Sequence, residues 1–172
     1  YGFHGTSHQF VSREAAKMLG KDIKDINIIV CHLGNGASVT AVKGGESVDT
    51  SMGLTPLEGL IMGTRSGDLD PAILEFIANK ENKTVSEVVN ILNKESGVLG
   101  LSGGISSDFR DVKAARAEGN KAAAAAMDAY VYRVAKYIGA YTVAMNGVDA
   151  IVFTERLGEN DDPTRSVIGE YL

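Results

Sequence analysis

Residues 26–33 read INIIVCHL, an almost unbroken apolar run of eight with isoleucine and valine prevailing. It is too short for a helix of ordinary length and too apolar for a strand with one wet face, so it reads as a strand buried on both sides. Gly34-Asn35-Gly36 breaks the run, Ala37 to Lys43 reads as a second strand, and Gly44-Gly45 supplies a two-residue hairpin into a third, Glu46 to Thr50. A strand that needs cover on two faces demands helices, and the rest of the chain offers them.

Thr6-Ser7-His8-Gln9 fits a capping box, with Thr6 as cap, opening a helix that Gly20 ends. Asp70-Pro71 opens a helix to about Asn79, and Thr84-Val85-Ser86-Glu87 is a second capping box. Asp108 caps a short helix to about Glu118, and Asn120 opens the longest helix, closed by Asn146-Gly147. Residues 149–154 (DAIVFT) form a strand, followed by a loop and a last helix from Asp162-Pro163. Three strands, a run of helices and then αβα indicate a layered domain of mixed α/β or α+β type. The length of 172 residues suits a single domain. A net charge of −5 argues against nucleic acid as a partner. No apolar run reaches the roughly eighteen residues of a membrane span, and no leader is expected. A lone cysteine, Cys31, has no internal disulfide partner, which points to a reducing compartment.

Two loops concentrate glycine around imidazole: YGFHGTSH at 1–8 and HLGNGAS at 32–38. A turn needs one glycine, whereas a loop that brings backbone N–H groups onto an anion needs several. Taken locally, the second loop reads first as a plain Asn-Gly hairpin turn. In GTRSGDLDP (63–71), Arg65 stands between glycines, where it can fork onto a phosphate or carboxylate or pair inward with Asp68 or Asp70. Asp70 reads as a helix cap. His4 and His8 are four apart, but His4 precedes the helix, so a zinc pair is not expected; His8 is assigned to the helix start. SSDFRD (106–111) and FTERLGEN (153–160) complete the candidate loops, the latter following a strand, where α/β folds place ligands.

YGFHGTSH, HLGNGAS, TPLEGL, GTRSGDLDP, SSDFRD and the strand followed by GEN occur in the order found in acetate kinases, and the chain resembles that family over essentially its whole length. The resemblance implies an α/β, ribonuclease-H-like (actin-like ATPase) domain with a mixed β-sheet and flanking helices, residues 1–172 being most of the second domain of such an enzyme. It implies reversible phosphoryl transfer from ATP to acetate or another short carboxylate, giving acetyl phosphate and ADP, with magnesium, in the cytoplasm, by homodimers; propionate is not separated from acetate. His4 resembles the histidine that steadies the phosphoryl group, and Arg65 the arginine on the transferring phosphate and the acyl carboxylate. Phe3 and Pro56 match walls of the acyl pocket. His32, Leu33, Gly34, Asn35 and Gly36 match the phosphate hairpin. Asp108, Phe109 and Arg110, together with Arg156, Leu157, Gly158, Glu159 and Asn160, match the nucleotide-binding segments; no metal ligand is assigned on this chain.

Three departures accompany the resemblance. The family's first domain, with a phosphate loop, an acyl-binding arginine and a catalytic aspartate, has no counterpart here. Nor has its C-terminal segment with a magnesium-associated glutamate. Where the family has alanine or glycine, glycine and isoleucine before GEN, this chain has Glu155-Arg156-Leu157. The chain alone is therefore expected to be inactive. A non-catalytic nucleotide-binding or dimerisation module of the same fold is the competing reading.

Overall fold

The computed structural model describes residues 2–160 and 162–171. Its centre is a four-stranded sheet in the order β3-β2-β1-β4, formed by β1 (Asn27–Leu33), β2 (Ala37–Lys43), β3 (Glu46–Thr50) and β4 (Ala150–Thr154). β1 pairs antiparallel with β2 and parallel with β4, running from Ile28 opposite Ala150 to His32 opposite Thr154. β2 and β3 are antiparallel, joined through Gly44 and Gly45 at φ 57° and 83°. That left-handed pair is what a two-residue hairpin needs, and glycine adopts it without a Cβ penalty.

The double cover that the apolar run demands is present. Ile28 and Val30 turn to α1 (Gly5–Met18), joining Ala15, Ala16, Ile26 and Val42. Ile29, Cys31 and Leu33 turn to the opposite face, onto α6 (Lys121–Met145), where Met127, Tyr130, Val134 and Ile138 await them. Alternation along the strand sends successive side chains to opposite layers, and both layers are dry. α2 (Ala72–Glu81), α3 (Val85–Lys94), α4 (Gly97–Leu101) and α5 (Phe109–Ala117) come before α6, and the short α7 (Glu155–Asn160) and α8 (Asp162–Gly169) follow β4.

The expected caps are mostly observed. Thr84 and Glu87 form a reciprocal capping box, Asp108 accepts from the Arg110 N–H, and Asn120 accepts from the Ala123 N–H. Asp70 accepts from the Ala72 N–H at 3.0 Å, and Asn146 closes α6 in the left-handed region. The capping box at Thr6 is not formed. The helix starts earlier, at Gly5, with His4 as N-cap at φ 58°, and Thr6 is an exposed residue inside the first turn. The loop expected at 155–160 is instead α7, and α4 is a helix that glycine-rich GVLGL did not announce. In both places neighbouring segments supply the order that local propensity lacks.

α4 has a specific task. Its first N–H groups, from Val98 and Leu99, donate to the carbonyls of Met62 (2.8 Å) and Gly63 (2.9 Å). Ser96 N–H donates to Thr64 and Ser66 N–H to Leu92, so the segment carrying Arg65 is held by backbone on two sides. Gly97 makes this approach possible: it sits at φ 60°, and a Cβ there would collide with the Met62 carbonyl and lie 2.8 Å from that of Arg65. Gly97→Ala is expected to cost at least about 3 kcal/mol, combining left-handed strain with overpacking against backbone. Gly103→Ala, at φ 73° in open space, is expected to cost about 1 kcal/mol. Denaturant unfolding of the two variants checks this, and equal losses would show that the clamp contributes nothing.

Candidate active site

The site forms at the carboxyl ends of β1 and β4, where β1 leaves the sheet through Gly34-Asn35-Gly36. Neither Gly34 nor Gly36 takes a positive φ, so these are not the left-handed glycines of a two-residue Asn-Gly hairpin. They are glycines because other groups come close. A Cβ on Gly36 would lie 3.1 Å from Arg65 Nη2 and 3.9 Å from His4 Nε2. A Cβ on Gly34 would lie 3.2 Å from the Gly36 carbonyl and 3.3 Å from Glu155 Oε2. Gly63 is pinned in the same way: its N–H donates to the Asn35 carbonyl at 2.9 Å, and a Cβ there would strike the Asn35 side chain and the Ser107 carbonyl. Loops from four parts of the chain therefore meet at residues 34–36.

Arg65 is not an internal partner of either aspartate. Its Nη1 donates to the Pro56 carbonyl at 2.7 Å, which fixes the plane of the guanidinium and leaves Nη2 facing Gly36. Asp68 accepts from the Gly59 N–H (2.8 Å) and the Tyr137 hydroxyl (2.6 Å) and lies 3.5 Å from Arg133, while Asp70 caps α2. Among the described residues, no carboxylate pairs with Arg65. A half-buried arginine held by one carbonyl, with its remaining donors turned to a glycine turn, suits an oxyanion.

All three histidines gather beside it. The His4 and His32 rings stack with centroids 4.0 Å apart, and His8 meets both edge-on at 6.2 and 6.0 Å. His4 Nδ1 and His8 Nε2 each lie 2.8 Å from Ser38 Oγ, and Ser7 Oγ lies 3.0 Å from His32 Nδ1. Burial, then the neighbouring His32 and Arg65, hold His4 down to about 4. Burial, His32 and His4 hold His8 down to about 3, and burial lowers His32 as well. Three imidazoles and an arginine cannot all carry charge in one half-buried cluster. At neutral pH the histidines are neutral and Arg65 supplies the positive charge.

The other expected site residues are distributed as follows. Phe3 is half-buried against the core and shares an open cleft of about 830 Å³ with His4, His8, Thr40 and Thr50. Leu33 and Phe109 are core side chains, 0% and 6% exposed, with Phe109 edge-on to Tyr130 at 4.7 Å. The space around each is filled by the layer beneath the sheet. Arg110 is exposed and its fork is taken by Asp108, at 3.0 Å from Nε and 2.5 Å from Nη2. Glu159 turns inward, accepting from Thr154 Oγ1 (3.1 Å) and the Glu155 N–H (3.3 Å). Gly158 packs on Phe153, where a Cβ would lie 3.2 Å from the Phe153 carbonyl carbon. Arg156, Leu157 and Asn160 belong to α7 by their backbone. Glu155 at the start of this segment takes a left-handed backbone, at φ 71°. Glycine in place of Glu155 would relieve that position.

Residues 1–171 match the family model described as the acetokinase family. The chain belongs to the acetokinase family. It is 66% identical over 172 residues to the acetate kinase of Lachnoclostridium phytofermentans and 60% identical to that of Thermotoga maritima, covering all of this chain and 43% of each relative. Among solved structures it superposes on Porphyromonas gingivalis acetate kinase with a TM-score of 0.95 at 50% identity, covering 98% of this chain and 42% of that one. A propionate kinase from Francisella tularensis gives 0.94 at 48% identity, covering 100% and 44%. The mixed sheet with flanking helices is thus the actin-like ATPase fold of these kinases, and the chain spans about 43% of the length of the curated relatives it matches.

Ser38 and the inward role of His8 were not foreseen from sequence. Serine two residues past a glycine turn carries no signal, and the sequence assigned His8 only to the start of its helix. The depressed histidines have a consequence for stability. The unfolded chain takes up protons near 6.5, whereas folded His4 and His8 do so only near 4 and 3. The unfolded state therefore binds more protons between these values, and stability falls as pH drops from about 6.5 toward 4. His8→Gln, which keeps a donor toward Ser38 and cannot titrate, is expected to make the melting temperature less sensitive to pH over that window. An unchanged slope would show that His8 does not fold as a neutral, proton-refusing group.

Proposed function

We propose that this chain is the phosphoryl-binding part of a kinase that transfers phosphate between ATP and a short carboxylate, acetate or propionate, and that residues 1–172 correspond to most of the second domain of that enzyme. The observation that carries the reading is the convergence of Arg65 Nη2 and His4 Nε2 on Gly36 from two separate loops. In-line phosphoryl transfer asks the protein for positioning and for stabilisation of charge on the transferred group, and little else. Arg65 supplies charge in a fixed plane, and neutral His4 offers a polar ring edge that does not add to the charge. The absence of side chains at residues 34 and 36 lets phosphate approach the backbone. Phe3 and Pro56 are assigned to bound the small acyl group; the Pro56 carbonyl also holds Arg65. Residues 106–110, whose Ser107 carbonyl would meet a Cβ on Gly63, and α7, whose Glu155 lies beside Gly34, are assigned to the nucleotide side of the turn. Names of the relatives and solved neighbours, which include both acetate and propionate kinases, support the reaction class without dividing the two substrates.

Magnesium supplies charge neutralisation on ATP in this chemistry. Among the described residues no group of three or more His, Cys, Asp and Glu is arranged to hold a metal ion, and no step is assigned through the ion. Assembly into homodimers and a cytoplasmic setting belong to the same proposal; among the described residues no helix is long and apolar enough to cross a membrane.

A chimera tests the reading. With this chain replacing the matching 43% of the Lachnoclostridium phytofermentans enzyme, hydroxamate detection is expected to show acetyl phosphate formation. Arg65→Lys in that chimera is expected to lower kcat on the order of 10³-fold or more with the melting temperature unchanged, since lysine keeps the charge and loses the fork. Turnover within a few-fold of the parent would remove Arg65 from the chemistry.

Glu155 qualifies the nucleotide side. Its carboxylate stands 3.3 Å from where a Gly34 Cβ would be, and it occupies a left-handed backbone position. Glu155→Gly is expected to add roughly 1 kcal/mol of stability by relieving that strain, and to tighten ATP binding in calorimetry by removing a negative charge beside the phosphate turn. Unchanged affinity alongside the stability gain would place Glu155 outside the phosphate field.

A further inference from the structure

We propose that Ser38 and His8 are positioning residues that lock His4 in its Nε2–H tautomer, so that His4 and Arg65 both donate toward the same point above Gly36. The functional meaning of this lock rests on His4 being the phosphoryl-contacting histidine; the lock itself is a property of the folded chain.

The geometry starts at one buried hydroxyl. Ser38 is 0% exposed, and its Oγ stands 2.8 Å from His4 Nδ1 and 2.8 Å from His8 Nε2. A serine hydroxyl has one proton to give and lone pairs to receive with. These two nitrogens are its only side-chain partners among the described residues, so its proton goes to one of them and the other ring donates to it. Two relays are possible. In the first, His8 Nε2–H donates to Ser38, and Ser38 donates to His4 Nδ1, which places the His4 proton on Nε2. In the second the direction reverses: His4 Nδ1–H donates to Ser38, Ser38 donates to His8 Nε2, and His8 must carry its proton on Nδ1.

The far side of His8 decides between them. His8 is 3% exposed, and among the described residues its Nδ1 has no group in hydrogen-bonding reach. The reversed relay would bury an N–H donor there without an acceptor, a rarer and costlier arrangement than a bare nitrogen lone pair. The first relay leaves only the lone pair unpartnered. It also turns an N–H of His4 toward Gly36, 3.9 Å from the Cβ position there, where Arg65 Nη2 lies at 3.1 Å. The reversed relay would present a lone pair to the oxygens of a phosphoryl group. The neutral state of all three rings is what permits a hydroxyl relay, because a protonated imidazole could not accept from Ser38. The left-handed N-cap conformation of His4, φ 58° and ψ 15°, serves the same end: it swings the ring off the helix axis and across to β2.

Long-range proton–nitrogen correlation spectra of the uniformly nitrogen-15-labelled chain at pH 7 read the tautomers directly. The expected result is a pyridine-type Nδ1 and a pyrrole-type Nε2 on both His4 and His8. A pyrrole-type Nδ1 on His8, or a pyridine-type Nε2 on His4, overturns the relay. His8→Gln retains a side-chain N–H for Ser38 and is expected to leave the His4 pattern as it is. Ser38→Ala removes the donor to Nδ1, so the two His4 nitrogens are expected to move toward averaged positions; an unmoved His4 pattern in a folded Ser38→Ala chain overturns the lock. Should Ser38→Ala fail to fold, the wild-type and His8→Gln spectra still decide the matter. None of these readings depends on turnover, so a catalytically silent Arg65→Lys change would sink the kinase reading while leaving the relay to stand or fall on its own spectra.

Discussion

Burial of β1 on both faces is the constraint from which the rest of this molecule follows. A strand with no wet side must be paired on both edges and covered on both faces. Here β2 and β4 take the edges, and α1 and α6 take the faces. Once those four elements are fixed, the carboxyl end of β1 has nowhere to go but into a turn beside the end of β4. The start of α1 lies close by, because α1 must lie along the same strand. His4, His32 and the 34–36 turn are thus brought together by the packing of the sheet, and not by any attraction among themselves.

The site works with little charge. Three imidazoles, stacked and crossed within about 6 Å of one another, are tolerable in a half-buried place only while neutral. The cost appears as sensitivity to acid; the gain is a dry, directional set of ring nitrogens that hydroxyls of Ser7 and Ser38 can orient. Arg65 alone brings positive charge, and the fold prevents its neutralisation by giving Asp68 to Tyr137, Arg133 and the Gly59 N–H, and Asp70 to α2. Keeping two nearby aspartates occupied is as much a part of the site as the arginine.

Glycine has two distinct uses here. Gly44, Gly45 and Gly97 take left-handed backbone conformations that a side chain resists. Gly34, Gly36 and Gly63 do not; a Cβ at Gly63 would strike Asn35 and the Ser107 carbonyl, and one at Gly34 or Gly36 would crowd Glu155 and the Gly36 carbonyl, or Arg65. The second kind marks places where backbone is meant to be approached, and all three border the turn at the end of β1.

What the sequence determined by itself was the strand plan, most helix ends and the list of loops that matter. The apolar run of β1, the Gly44-Gly45 hairpin and the caps at Thr84, Asp108 and Asn120 act over a few residues, so they can be read without knowing the fold. The motif set placed His4, Arg65 and the 34–36 turn in one site for the same reason: each lies in a short, distinctive string. Tertiary structure decided everything that required distance. It moved the helix cap from Thr6 to His4, made α7 from a segment expected to be loop, and sent Leu33 and Phe109 into the core. It put a left-handed backbone position at Glu155. It also chose a serine thirty-four residues from His4 to hold its ring. Local strings encode propensity and chemistry, but which buried hydroxyl meets which imidazole is settled only when two faces of one strand have both been covered.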